Sequence, residues 1–95
     1  MALRIDFEGV ESCITQMKTA IEALQQTAAD IDVIVETDLG EHWEGNSYQK
    51  CISTYEENYR DMLTTQVPGL VEQLEQFMQT CKDCLEEADN ELAGN

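Results

Sequence analysis

Residues 10–35 read Val10-Glu-Ser-Cys-Ile-Thr-Gln-Met-Lys-Thr-Ala-Ile-Glu-Ala-Leu-Gln-Gln-Thr-Ala-Ala-Asp-Ile-Asp-Val-Ile-Val35. Within them Val10, Ile14, Met17, Ile21, Leu24, Ala28, Ile31 and Val35 follow at intervals of 4,3,4,3,4,3,4 without a break. An α-helix turns once in 3.6 residues, so this spacing lays one apolar seam along a single face for nearly four heptads. A second column, Cys13, Ala20, Thr27 and Ile34, repeats every seven residues beside the first. The stripe is therefore wider than one antiparallel neighbour covers, and two neighbours are predicted.

Working outward, Asp6 is the expected N-cap, Glu8 lies near the positive end of the helix dipole, and Gly40 is the expected C′ residue. These bound a first helix at about 7–38. The pattern fails over 39–46, where Gly40 and Gly45 bracket Glu41-His42-Trp43-Glu44, and a loop is predicted. Asn46 with Gln49 three residues on offers a capping-box start to a second helix at about 47–88. Its seam runs Tyr48, Ile52, Tyr55, Tyr59, Leu63, Val67, Leu70, Leu74, Phe77, Cys81, then Cys84 or Leu85, and Ala88. The spacing stutters to 4,4,4 between Tyr55 and Val67, and Pro68 follows directly; a kink or a break is expected there. Residues 89–95 lose the pattern and should fray.

The fold class expected is all-α: one domain, an antiparallel two-helix hairpin whose arms are roughly 45 and 60 Å long at 1.5 Å rise per residue. A lone hairpin buries one seam of each arm. Cys13, Ala20, Ile34, Tyr48, Tyr55, Met62 and Phe77 would then stay partly wet, so pairing with another hairpin into a four-helix bundle dimer is the natural completion. Ile14, Met17, Ile21, Leu24, Ile31, Tyr55, Tyr59, Leu70, Leu74 and Phe77 are the predicted hairpin or dimer seam.

The 95 residues include 20 Asp and Glu against 5 Lys and Arg, a formal charge of −15. Such a field repels nucleic-acid phosphates and anionic lipid headgroups, which removes nucleic acid as a partner and argues against membrane binding. Met1-Ala2-Leu3-Arg4-Ile5-Asp6 leads into acids rather than an apolar run, so no cleavable signal peptide is read and synthesis in the cytoplasm is expected. Export would need another route.

Paired carboxylates Glu56-Glu57 and Glu86-Glu87 read as solvated helix faces and His42 as a solvated loop residue; no catalytic residue, cofactor or metal site is predicted, and the chain is not expected to be an enzyme. Cys81-Lys82-Asp83-Cys84 has the spacing of a metal or redox pair, but a closed zinc site takes four ligands. Pairing the arms about a loop centre near 42–43 puts Cys13 near residue 72, Cys51 near 34 and Cys81 near 4. No two cysteines on opposite arms come level, and all four read as core packing.

Trp43-Glu44-Gly45 sits mid-chain between two long amphipathic helices. Together with the length, the acidity and the signal-free start, it resembles the WXG family of ESAT-like proteins, and the likeness covers nearly the whole chain. The resemblance implies a helical hairpin in homo- or heterodimeric bundles, exported by type VII (ESX-like) secretion systems of Gram-positive bacteria and mycobacteria, with the secretion ATPase as a partner. Trp43 and Gly45 would be the loop signature and half of a composite export signal. The family's other half, Tyr-x-x-x-Asp/Glu near the C-terminus, is not matched, since no Tyr follows Tyr59. Leu85 and Asp89 keep its spacing, so either a Leu-based version serves or a partner supplies the signal in trans. A secreted substrate or co-secreted partner is the first function implied; a cytosolic adaptor for the helical N-terminus of a larger secreted effector is the alternative.

Overall fold

The computed structural model describes residues 5–93, which form two long helical arms in a hairpin-like arrangement with no strand among them. Helix α1, Phe7–Val33, starts where Asp6 accepts a 3.0 Å hydrogen bond from the Gly9 amide through its side chain, closing the N-terminus as expected of this cap. The arm continues through a π-helical turn, Ile34–Asp38, into α2, Leu39–His42. Helix therefore runs four residues past the predicted end. Gly40 lies inside it; the chain leaves helix at Trp43 (φ −148°, ψ 126°), and the left-handed residue is Gly45 (φ 115°). A Cβ on Gly40 would lie 2.7 Å from Tyr48 Oη, so its smallness serves a close approach rather than a helix stop.

The return arm begins with α3, Asn46–Asn58. Gly45 is its N-cap and Asn46 already helical, so the expected Asn46 capping box does not form. At Tyr59 (φ −126°, ψ −33°) the helix is interrupted, a π-helical turn follows over Met62–Gln66, and α4 spans Val67–Ala93. The stutter thus resolves before the proline. The Val67 amide reaches back five residues to the Met62 carbonyl, and a continuation of that pattern would need an amide at position 68, where Pro68 has none. α4 then runs unbroken through Pro68 and past Asp89 to Ala93, where fraying was expected; residues 94–95 lie outside the described part.

The molecule measures 71 × 20 × 18 Å with a radius of gyration of 20.9 Å, against about 12 Å for a compact domain of its length. The core is a single row: Ile14, Ile21 and Ala28 from α1, Tyr55 from α3 and Val71 from α4. Beside Val71 the inward row of α4 is Val67, Leu74, Met78, Cys81, Leu85 and Ala88, all half-buried; all but Met78 belong to the predicted row, whereas its Leu70 and Phe77 are exposed. No helix of the described residues is long and apolar enough to cross a membrane.

Candidate interaction surface

Two grooves on one side of the hairpin fix how the arms are turned. One is lined by Phe7, Glu11, Ile14 and Thr15 across from Lys82, Leu85, Glu86 and Asp89; the other by Lys18, Ile21 and Glu22 across from Glu75, Met78 and Gln79. Ile14 therefore runs beside Leu85, not beside residue 71 as a symmetric hairpin predicts. The reason is in the return arm. Tyr55 and Arg60, five residues apart, both bond to Asp32, and the arm is irregular from Tyr59 through the π-helical turn Met62–Gln66 before α4 begins.

With the inward row fixed, helical periodicity places the remainder. The groove side carries Glu11, Lys18, Glu22, Glu75, Lys82, Glu86 and Asp89 and is a charged face. On the opposite side α1 presents Val10, Cys13, Met17, Ala20, Leu24, Thr27, Ile31 and Ile34, at intervals of 3,4,3,4,3,4,3 and with no charge among them. α4 sets Leu70, Phe77 and Cys84 alongside, with Leu74 and Cys81 half-buried beneath them. Ile34 is 49% exposed, Leu70 46% and Phe77 54%, so this face is finished in composition but not covered. Of the predicted seam, Ile14, Ile21 and Tyr55 are buried and Met17 and Leu74 half-buried, while Leu24, Ile31, Tyr59, Leu70 and Phe77 are exposed on or beside this second face. Towards the tip it ends in a mostly apolar groove lined by Val35, Leu39, Ser47, Lys50, Cys51, Thr54, Tyr55 and Tyr59.

The arms are tied on the other side by a polar cluster that the sequence reading missed. Tyr55 Oη donates to Asp32 Oδ1 at 2.8 Å, and Arg60 Nε donates to the same oxygen at 3.1 Å and lies 3.4 Å from Glu36 Oε1. Glu36 Oε1 is closed off from solvent and accepts no hydrogen bond, leaving the ion pair as its compensation. The Tyr55 hydrogen bond, with Arg60 second to it, holds the Asp32 carboxyl below its ordinary pKa. Burial, reinforced by Asp32, pushes the Tyr55 phenol up to about 12. Asp32 interrupting the apolar run Ile31 to Val35, and Arg60 as one of five basic residues, were the available signals.

At the tip Trp43 is 40% exposed, donates its indole N–H to Ser47 Oγ at 3.1 Å and packs at 54° on Tyr48, ring centroids 5.9 Å apart. Gly45 supplies the positive φ that turns the chain into α3. Leu85 and Asp89 line the first charged-side groove, at the far end of the rod from Trp43 and Gly45. The four cysteines are free; Cys13 and Cys84 are exposed, Cys51 and Cys81 half-buried. Packing, expected for all four, accounts for Cys81 in the inward row of α4 and for half-buried Cys51 but not for exposed Cys13 and Cys84, and among the described residues no cluster of side chains is arranged to hold a metal ion. Compared with family models, curated proteins and solved structures, the chain finds no match in any of the three.

Proposed function

We propose that this chain is a non-enzymatic helical interaction protein whose uncharged face pairs with the same face of a second copy, completing a four-helix bundle. The observation that carries this reading is the uncharged ladder from Val10 to Ile34, apolar at every position but Thr27 and flanked by Leu70 and Phe77, all on one side of the hairpin. Area supports it. The surface is 7336 Å², about 1,800 Å² more than a compact monomer of 10.8 kDa exposes, whereas a standard interface takes about 800 Å² from each partner. The acids of the groove side point away from such an interface, so two copies meet without opposing charges in the seam.

With the Trp43-Glu44-Gly45 tip, this bundle is read as a type VII secretion substrate or co-secreted partner, Trp43 and Gly45 forming its tip signature. The formal charge of −15 favours a second arrangement, in which a less acidic helical hairpin at the N-terminus of a larger effector takes the second copy's place and the chain serves as a cytosolic adaptor. Light scattering on the reduced chain decides between them. A stable mass of twice 10.8 kDa supports self-pairing, and a monomer at all concentrations removes it in favour of the adaptor. Export is tested by following the chain into the medium of a type VII-bearing host with and without its secretion ATPase; equal export in both strains overturns the secretion reading.

A further inference from the structure

The placement of Cys13 and Cys84 is not explained by packing. Cysteine is a small, apolar residue usually found deep in cores; Cys51 and Cys81 are half-buried, yet these two are exposed. All four thiols fall on the uncharged side: Cys13 in the exposed ladder of α1, Cys81 and Cys84 along the matching columns of α4, and Cys51 in the mostly apolar groove towards the tip. No cysteine lines either groove of the charged side. Ile14 shares a groove with Leu85, so their sequence neighbours Cys13 and Cys84 lie at one level of the rod, one on each arm, both exposed.

We propose that Cys13 and Cys84 form a modification site at which thiol–disulfide exchange with a small disulfide closes this face to pairing. The inference rests on the pairing reading given above. In the exchange the cysteine thiolate attacks one sulfur of the small disulfide. A new S–S bond joins that sulfur to the protein, the old S–S bond breaks, and the departing thiolate takes up the proton the cysteine lost. Cysteine is oxidised, one half of the small disulfide leaves as the reduced thiol, and no other reactant is needed. Each adduct adds a polar, flexible appendage to a seam that otherwise contains no charge, and the partner would have to bury it unpaired. The exposed pair reacts ahead of half-buried Cys51 and Cys81, and it does so in the unpaired chain, so modification draws the equilibrium towards monomer.

The test uses the full chain and cystamine, a cationic disulfide suited to a protein of −15 charge. Its adduct leaves an ammonium in the seam. Peptide mass mapping should find adducts on Cys13 and Cys84, and light scattering should show the mass falling twofold and returning on reduction. Cys13→Ala/Cys84→Ala keeps the seam apolar and should stay paired throughout. Adducts at both sites without a change in mass, no reaction at these thiols, or an equal fall in the double variant would overturn the proposal. A reduced, unmodified chain that is already monomeric would instead overturn self-pairing itself, and the site with it.

Discussion

Glu11, Lys18, Glu22, Glu75, Lys82 and Glu86 stand on one face of the hairpin, and Val10, Met17, Leu24, Ile31, Leu70 and Phe77 on the other, although the same two helices build both. Each helix reserves its innermost row, Ile14, Ile21 and Ala28 against Val71 and its neighbours, for the fold itself. What differs is what lies a third of a turn to either side. On the charged side long side chains keep their heads in water and fringe the grooves. On the other side the apolar ladder repeats with the same regularity as the core row, so two consecutive seams run along α1 and only one is used within the chain. A helix that needed only to form this hairpin would have no use for the second.

The largest effect expected from breaking this comparison is on assembly. Leu24→Asp with Phe77→Asp puts carboxylates on both arms of the exposed seam, and pairing should be abolished, with the scattering mass halved and helix content by circular dichroism retained. Glu22→Ala with Glu86→Ala, on the opposite face, should leave the mass unchanged. Equal loss in both variants would show that the faces are not functionally distinct.

Within the fold, Ile21 and Leu24 separate the two seams at a distance of one turn. Ile21 is 6% exposed and Leu24 36%. In the unpaired Leu24→Asp/Phe77→Asp background, adding Ile21→Ala should cost about 3 kcal/mol in urea unfolding, the range for a large-to-small change in a packed site. A cost below 1 kcal/mol would mean the core row does not hold the arms together.

How far the sequence carried the reading follows from the same rows. The helix of α1 was legible because nothing perturbs its period before Val33, although of its seam only Ile14, Ile21 and Ala28 are buried while Val10, Leu24 and Ile31 are exposed; Asp6 was legible because a cap needs only its neighbours. The return arm was harder. The 4,4,4 stutter announced an irregularity, but not its resolution as a break at Tyr59 and a π-turn over Met62–Gln66. Leu70 and Phe77 consequently gave way to Val71 and Met78 in the inward row, while Val67, Leu74, Cys81, Leu85 and Ala88 kept their places in it. In the Asp32–Tyr55–Arg60 cluster only Arg60 lies beyond the break, and its return to Asp32 is a contact between arms that local spacing does not contain.

The tip offers the next effect in size. Gly45 has φ 115° and ψ −176°, a region essentially confined to glycine, while its Cβ position is open space. Gly45→Ala should therefore cost about 2 kcal/mol through backbone strain alone, read by thermal unfolding at fixed concentration. Trp43 keeps its Ser47 and Tyr48 contacts only if α3 starts where it does, so the variant's tryptophan emission should also shift. An unchanged melting temperature would show that Gly45 is a sequence signature without a conformational duty.

The smallest effect concerns the polar tie. Tyr55→Phe removes one hydrogen bond to a carboxylate, about 1.5 kcal/mol, and leaves Asp32 to Arg60 alone. Its pH dependence is more telling than its size. The Tyr55 phenol is raised from 10.0 to about 12, so the folded chain holds a proton that the unfolded chain releases. That stabilisation is fully present below pH 10 and is lost as pH rises towards 12. The Asp32 carboxyl shifts the other way: held below 3.8, it stabilises at higher pH and its contribution is lost as pH falls through the folded value. Both flanks should be visible in the unfolding free energy of the parent chain. Tyr55→Phe should flatten the alkaline flank and, because Tyr55 is also the largest cause of the Asp32 shift, shrink the acid one. Parallel pH profiles for the two proteins would mean that Asp32 and Tyr55 do not sense each other, and that the arms are held by the apolar row alone.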